Sequence, residues 1–235
     1  MIENSRPRGR PRSYDPDAVL DRAAELFWAN GFSATSLDDL SAAMGMGRPS
    51  IYNAFGDKEA LFLRALQRYR DTVALTPLRA LEAEDSIRQG LDAFFGQFVA
   101  YTTADRSHLG CLLGNVAPIV DLPAVQSFVK AGLAAFEAEI AAHLTAAVRR
   151  GELSLDYPTE LGARRAVSAG LAISARARFG TPRRELLKDA ADATSSVLGV
   201  QPPPGGSRVK RTRSDPAFSV PSADPRAYRQ RHPRA

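Results

Sequence analysis

From residue 15 to residue 199 apolar side chains recur every three or four positions, and no alternating run of β-branched residues breaks the pattern. That spacing puts the apolar groups on one face of a helix, and alanine is abundant enough to favour helix on propensity as well. Starts and stops are marked. Asp15-Pro16 sets a cap before a proline, Thr35-Ser36-Leu37-Asp38 has the Thr-x-x-acid form of a capping box, Asp57 precedes Lys58-Glu59-Ala60-Leu61, and Thr181-Pro182 repeats the first pattern. Gly31, Gly45, Gly56, Gly151, Gly180 and Gly199 close helical runs. The expected helices are 16–30, 36–44, 48–54, 58–75, 85–104, 108–119, 123–150, 159–179 and 182–198, an all-α chain of about nine helices.

Several functions are excluded by what the chain lacks. It contains a single cysteine, Cys111, which allows neither an intramolecular disulfide nor a cysteine-based zinc site. The longest stretch free of Asp, Glu, Lys and Arg runs for 15 residues from Ala193 to Ser207 and is rich in Ser, Pro and Gly, so no bilayer span is expected. The opening residues MIENSRPRGRPRS have no apolar core, so no secretory signal is expected either. A cytoplasmic location follows from these expectations, and it would be nucleoid-associated if the chain binds DNA. There is no HExxH, no Gly-rich phosphate loop, no Gly-x-Ser-x-Gly and no paired Glu-x-x-His. Neither an enzyme, nor a metal site, nor a cofactor is expected. Glu139 and His143 lie one helical turn apart without a second such pair, which suits surface or core rather than a metal.

The net charge of +5 is unevenly spread. Residues 1–14 carry +3 and residues 201–235 carry +6, which leaves −4 on everything between. Basic ends on a mildly acidic body suit a polyanionic partner such as nucleic acid, or serve only to keep the chain in solution. The composition divides the chain into a disordered basic arm at 1–14, a body, and a disordered basic tail at 200–235 that opens Pro-Pro-Pro-Gly-Gly.

Three short helices crowd into about 40 residues near the start, and Met44-Gly45-Met46-Gly47 joins the second to the third. A helix, a glycine turn and a second helix make a helix-turn-helix. Val19, Ala23, Leu26, Phe27, Leu37, Leu40, Met44, Ile51, Tyr52 and Phe55 would form its core. Arg48, Ser50 and Asn53 are then free to face outward on the third helix.

The segment from Asp15 to Tyr69 resembles the N-terminal domain of TetR/AcrR-type transcriptional regulators. The resemblance rests on Ala23-Ala24, Leu26-Phe27, Gly31-Phe32, Thr35-Ser36, Gly45, Ile51-Tyr52, Phe55 and Lys58-Glu59-x-Leu61. Ser41 stands where the family usually has alanine, and a small residue still packs there. The resemblance implies a DNA-binding domain at 15–60 and a ligand-binding and dimerisation domain at 61–199. It implies that the third helix enters the major groove of a palindromic double-stranded operator, where polar side chains read base edges. Arg48 would pair with guanine, Ser50 and Asn53 would contact bases or phosphates, and Pro49 belongs to the same DNA-binding face. Tyr52 either reaches the DNA backbone through its hydroxyl or packs its ring inside. Thr35 and Ser36, at a helix N-terminus, suit a phosphate, a simple cap or both. Lys58 either holds a further phosphate or is a solvated charge.

Residues 15–70 sum to −2, so added positive charge must come from elsewhere. Arg6-Pro7-Arg8-Gly9-Arg10-Pro11-Arg12 resembles an AT-hook, with Arg8, Arg10 and Arg12 suited to a narrow A/T minor groove.

Beyond residue 61 the resemblance is carried by length, helicity and Leu109-Gly110-Cys111-Leu112-Leu113-Gly114-Asn115. It implies a pocket for a small-molecule inducer. Phe94, Phe98, Tyr101, His108, Cys111, Asn115 and Phe128 are the candidate lining residues, although aromatic residues at helical spacing also make plain core, and a lone cysteine also serves as a small hydrophobe. It also implies a homodimer through 159–179 and 182–198, whose small apolar residues Ala166, Ala169, Gly170, Ile173, Ala190, Ala193 and Val197 would let helices approach closely. The expected function is a ligand-released repressor. The alternative is an architectural protein that binds DNA with little sequence choice.

Overall fold

A computed structural model of the chain describes residues 14–104 and 109–199. Arg8, Arg10, Arg12, His108 and the tail from 200 lie outside the described residues. Nine α-helices and no strand occur among the described residues: α1 Pro16–Asn30, α2 Leu37–Met44, α3 Arg48–Phe55, α4 Lys58–Tyr69, α5 Thr76–Glu82, α6 Ile87–Thr102, α7 Pro123–Arg149, α8 Thr159–Arg178 and α9 Arg183–Val197.

The punctuation explains most of these boundaries. The Asp15 side chain accepts from the Asp17 N–H at 3.0 Å, and Asp57 accepts from the Ala60 N–H at 2.8 Å. All six glycines expected to end helices have positive φ. At the start of α9, however, Pro182 occupies the cap position and no side chain caps the helix, so Thr181 does not do the work expected of it.

Two expected helices come out differently. The run at 58–75 ends at Tyr69 and widens into a π turn, Arg70–Ala74, after which α5 begins. Pro77 sits in the first turn of α5, where its missing N–H costs nothing, so the proline starts a helix rather than ending one. The described part of 108–119 is not an α-helix but a π turn, Leu112–Val116, followed by a 3-10 turn, Ala117–Ile119. Pro118 supplies no N–H there, and Gly114 lies in the wide turn.

Two hydrophobic cores result. The first joins α1 to α4 through Phe27, Leu40, Ile51, Leu61 and Phe62, all fully buried. The Phe27 and Phe62 rings meet edge-on at 4.7 Å. This core continues through Tyr69 into Cys111, Leu112, Val116 and Val125. The second core is built around α6, whose Leu91, Phe94 and Phe95 are fully buried, with α5, α7, α8 and α9 packed about it. Two glycines permit close approach: a Cβ on Gly90 would stand 2.9 Å from the Leu81 carbonyl oxygen, and one on Gly170 would stand 2.9 Å from the Phe98 ring.

The residues expected to form an outward seam on α8 and α9 face inward instead. Ala166, Gly170, Ile173, Ala190, Ala193 and Val197 are buried within the protomer, and Ala169 is half-buried. Small residues let these helices close on α6, so the sequence pattern reports packing inside one chain. The large apolar side chains that remain exposed are Leu161 and Leu171 on α8, Phe179 just past its end, and Leu187 on α9. The expectation of no bilayer-long segment also needs amendment. By length and composition alone α7 is apolar enough to cross a membrane, although Ile140, Leu144 and Ala147 are buried in the second core.

Candidate nucleic-acid interface

The interface is built on α2, the turn and α3. Ser36 caps α2, its hydroxyl accepting from the Asp39 N–H at 3.1 Å. The Asp39 carboxylate answers by accepting from the Ser36 N–H at 2.9 Å and from the Ser36 hydroxyl at 2.6 Å. The Ser36 hydroxyl and backbone N–H hold the Asp39 carboxyl below its usual range. The capping box is therefore Ser36 with Asp39, one residue later than expected. Thr35 is fully buried and donates its hydroxyl to the Gly31 carbonyl at 2.7 Å, which closes the α1–α2 connection. Its side chain cannot meet a phosphate, whereas Ser36 is exposed at the helix end.

Three further bonds set the angle between α2 and α3. Gly45 takes the left-handed conformation, φ 64° and ψ 32°, and the Met46 N–H returns to the Ser41 carbonyl at 3.1 Å. The Ser41 hydroxyl donates to the Met46 carbonyl, so the hydroxyl at a position expected only to be small bonds across the turn. Arg22 of α1 donates to the Met44 carbonyl at 3.2 Å. Below α3, Ile51 and Phe55 are buried.

The outer face of α3 carries Arg48, Pro49, Ser50, Tyr52 and Asn53, all exposed. Tyr52 is 49% exposed, so it does not serve as core. Arg48 is held by Asp38 of α2: its Nε donates to Oδ1 at 2.7 Å and its Nη2 pairs with Oδ2. The Asp38 carboxylate raises the Arg48 guanidinium further above its ordinary value. Lys58, the first residue of α4, holds its ammonium 4.4 Å from the centre of the Phe32 ring. Basic residues behind the interface are engaged internally. Arg68 bonds Asp21 at 2.8 and 3.0 Å and Asp17 at 2.8 Å, and Arg70 bonds Asp71 at 2.7 Å.

The described candidate ligand residues are spread over both hydrophobic cores, and Tyr101 packs against each of them. Phe94 and Phe98 are buried with ring centres 5.3 Å apart, and both face Phe136. The Tyr101 ring meets that of Phe98 at a tilt, with centres 5.3 Å apart. Cys111 is a buried free thiol to which the Tyr69 hydroxyl donates at 3.6 Å. Burial, with Cys111 beside them, pushes the Tyr69 and Tyr101 hydroxyls well above the ordinary tyrosine range. The Asn115 side chain accepts from the Cys111 N–H at 2.8 Å and from the Ser174 hydroxyl, clamping its own loop to α8. Phe128 packs against the first core with the Arg70 guanidinium over its ring at 5.3 Å. A cleft of about 230 Å³ touches none of these residues; it is lined by Leu81, Glu82, Glu84, Ser86, Ile87, His143 and Arg150. His143 faces Glu82 there at 3.9 Å, while Glu139 points to solvent.

Sequence reasoning missed Asp38, Tyr69 and Ser174. Asp38 and Arg48 are ten residues apart across a turn, and no helical spacing links them. Tyr69 follows the regular apolar pattern of α4 and could have been added to the core on that signal.

Residues 19–65 match the family described as "Bacterial regulatory proteins, tetR family". The HTH-type transcriptional repressor ComR of Escherichia coli (strain K12) is 39% identical over 109 residues, 46% of this chain and 52% of that protein. The HTH-type transcriptional repressor BdcR of the same strain is 39% identical over 83 residues, 35% of this chain and 42% of the other. The chain thus spans about half the length of these curated relatives. Among solved structures, a cysteine mutant of the TetR family transcriptional regulator CifR, complexed with 26-bp double-strand operator DNA, superposes with a TM-score of 0.74. It is 30% identical, and the alignment covers 80% of this chain and 99% of CifR.

Proposed function

The chain belongs to the TetR family of bacterial transcriptional regulators, and from that premise we propose a homodimeric repressor that grips a palindromic operator through α3 and lets go when a small molecule binds. The observation that carries this reading is the exposed polar face of α3, with Arg48, Ser50, Tyr52 and Asn53 outward and Ile51 and Phe55 anchoring the helix beneath. Side chains of this kind on a helix in the major groove read base edges, while Ser36 at the α2 N-terminus and Lys58 at the α4 N-terminus suit backbone phosphates. The repressor names of ComR and BdcR and the operator complex of CifR support the same reading. It is the membership of a family of regulators that argues against an enzyme. The cytoplasm, with the nucleoid, is the location that this role requires.

Dimerisation is assigned to the exposed sides of α8 and α9, which present Leu171 and Leu187. The inducer is assigned to the region of Phe94, Phe98, Tyr101, Cys111, Asn115 and Phe128, where entry requires parting rings that now touch. Genome-wide footprinting of the purified chain tests the reading. One or a few protected palindromes, released by a metabolite fraction, support it. Uniform protection with a steep salt dependence favours the architectural alternative.

A further inference from the structure

Building on the operator-reading role given above to α3, we propose that Asp38 is a positioning residue that fixes Arg48 to read guanine. A guanidinium offers five N–H donors in a planar fork. Asp38 takes the Nε edge, with Nε to Oδ1 at 2.7 Å and Nη2 to Oδ2. One Nη1 hydrogen and one Nη2 hydrogen remain side by side on the outer edge of the plane, while the second Nη1 hydrogen points back beside Cδ. That edge is the two-pronged donor that matches guanine O6 and N7. The pair is open to a docking duplex, since the Arg48 and Asp38 side chains are 53% and 71% exposed. Neighbouring Asp39 cannot substitute, because its carboxylate is committed to the cap with Ser36. Both ends of the brace are fixed: Asp38 sits in the first turn of the capped helix α2, and Arg48 is the first residue of α3 with Pro49 after it. An arginine without a brace spreads over rotamers and contacts phosphates as readily as bases. A braced one meets the base with its plane and reach already set, so less ordering is left to pay for on binding.

Selection of bound sequences from a random duplex library tests this, with purified wild type, Asp38→Asn, Asp38→Ala, Arg48→Ala and the double variant Asp38→Ala/Arg48→Ala. The wild type should enrich guanine at one position of each half-site, and Arg48→Ala should erase that preference. Either Asp38 variant should cut the preference at the same position by about tenfold, leave the other positions alone, and bind unselected duplex more tightly, because a negative charge is gone. Asp38→Ala should change nothing further in the Arg48→Ala background. Were the salt bridge merely a restraint that DNA must break, removing Asp38 would sharpen the guanine preference; that result overturns the proposal. So does an Asp38 effect that survives without Arg48, or one spread evenly over all positions. If Arg48→Ala erases a guanine and Asp38→Asn does not, the operator reading stands and the brace falls. If the wild type enriches no sequence at all, both fall together.

Discussion

Thr35 and Ser36 stand side by side with the same chemistry and separate jobs. One hydroxyl is buried and bonded to the Gly31 carbonyl; the other caps α2 in the open. Thr35→Val should therefore cost about 1 kcal/mol in denaturant unfolding without altering DNA affinity per folded molecule. Ser36→Ala should cost a similar amount, about 1 kcal/mol for the lost cap, and also weaken binding to every sequence alike. Unfolding curves and fluorescence anisotropy on specific and scrambled duplexes separate the two. The sequence could not assign these roles, because Thr35-x-x-Asp38 and Ser36-x-x-Asp39 both fit a capping box. The choice is made by burial at the α1–α2 connection, which no local pattern records. Arg48, Ser50 and Asn53 were legible for the opposite reason: on a short helix with Ile51 and Phe55 buried, the outward positions follow from geometry alone.

Helices α5, α6 and α7 show what periodicity can and cannot locate. Hydrophobic spacing finds α6 and α7 but passes through Arg70–Ala74 as if it were helix and gives no sign of α5, whose seven residues are too few for a clear period. Glycine use inside helices is just as opaque from sequence, and the structure sorts it. A Cβ on Gly90 would meet the Leu81 side chain and carbonyl oxygen at 2.9 Å, so Gly90→Ala should push α5 from α6 and cost about 1–3 kcal/mol. Gly132 in α7 has no heavy atom within 4 Å of its virtual Cβ, so Gly132→Ala should gain about 0.5–1 kcal/mol. Thermal melts of both variants check the pair of signs. The start of α6 adds a pH dependence. Glu152 accepts the Ile87 N–H at 2.6 Å, and that bond, ahead of the one from Arg150, holds its carboxyl below the usual range. A lowered folded-state value means stability that is complete above the ordinary carboxyl range and lost as pH falls through the lowered value. Glu152→Gln should lower the melting temperature at neutral pH, and the gap to wild type should narrow as pH falls below the ordinary glutamate range.

The two cores matter most when the molecule is taken whole. If the exposed faces of α8 and α9 pair two copies, Leu187→Glu should yield monomers by sedimentation and lose operator affinity, since each half-site is then bound alone. A dimer that persists moves the interface elsewhere. The basic arm makes a separate prediction at this scale. Deleting residues 1–12 should weaken binding most on A/T-flanked operators, whereas deleting the tail from 200 should weaken all duplexes equally. An arm deletion that costs the same on G/C-flanked operators reduces Arg8, Arg10 and Arg12 to general electrostatics.

The first core crosses from α4 through Tyr69 to Cys111, Leu112, Val116 and Val125, and Arg178 at the end of α8 reaches the carbonyls of Trp28 and Leu109, each at 3.4 Å. The helix-turn-helix head is therefore not a cassette. A chimera spliced after α4 would keep every described residue proposed to face a duplex and still lose the floor on which α1 and α4 rest, with Tyr69 and Trp28 left against a foreign surface. Transplanting the specificity of this chain to a relative requires moving 109–125 along with residues 14–75, or grafting only the outer side chains of α3 together with Asp38.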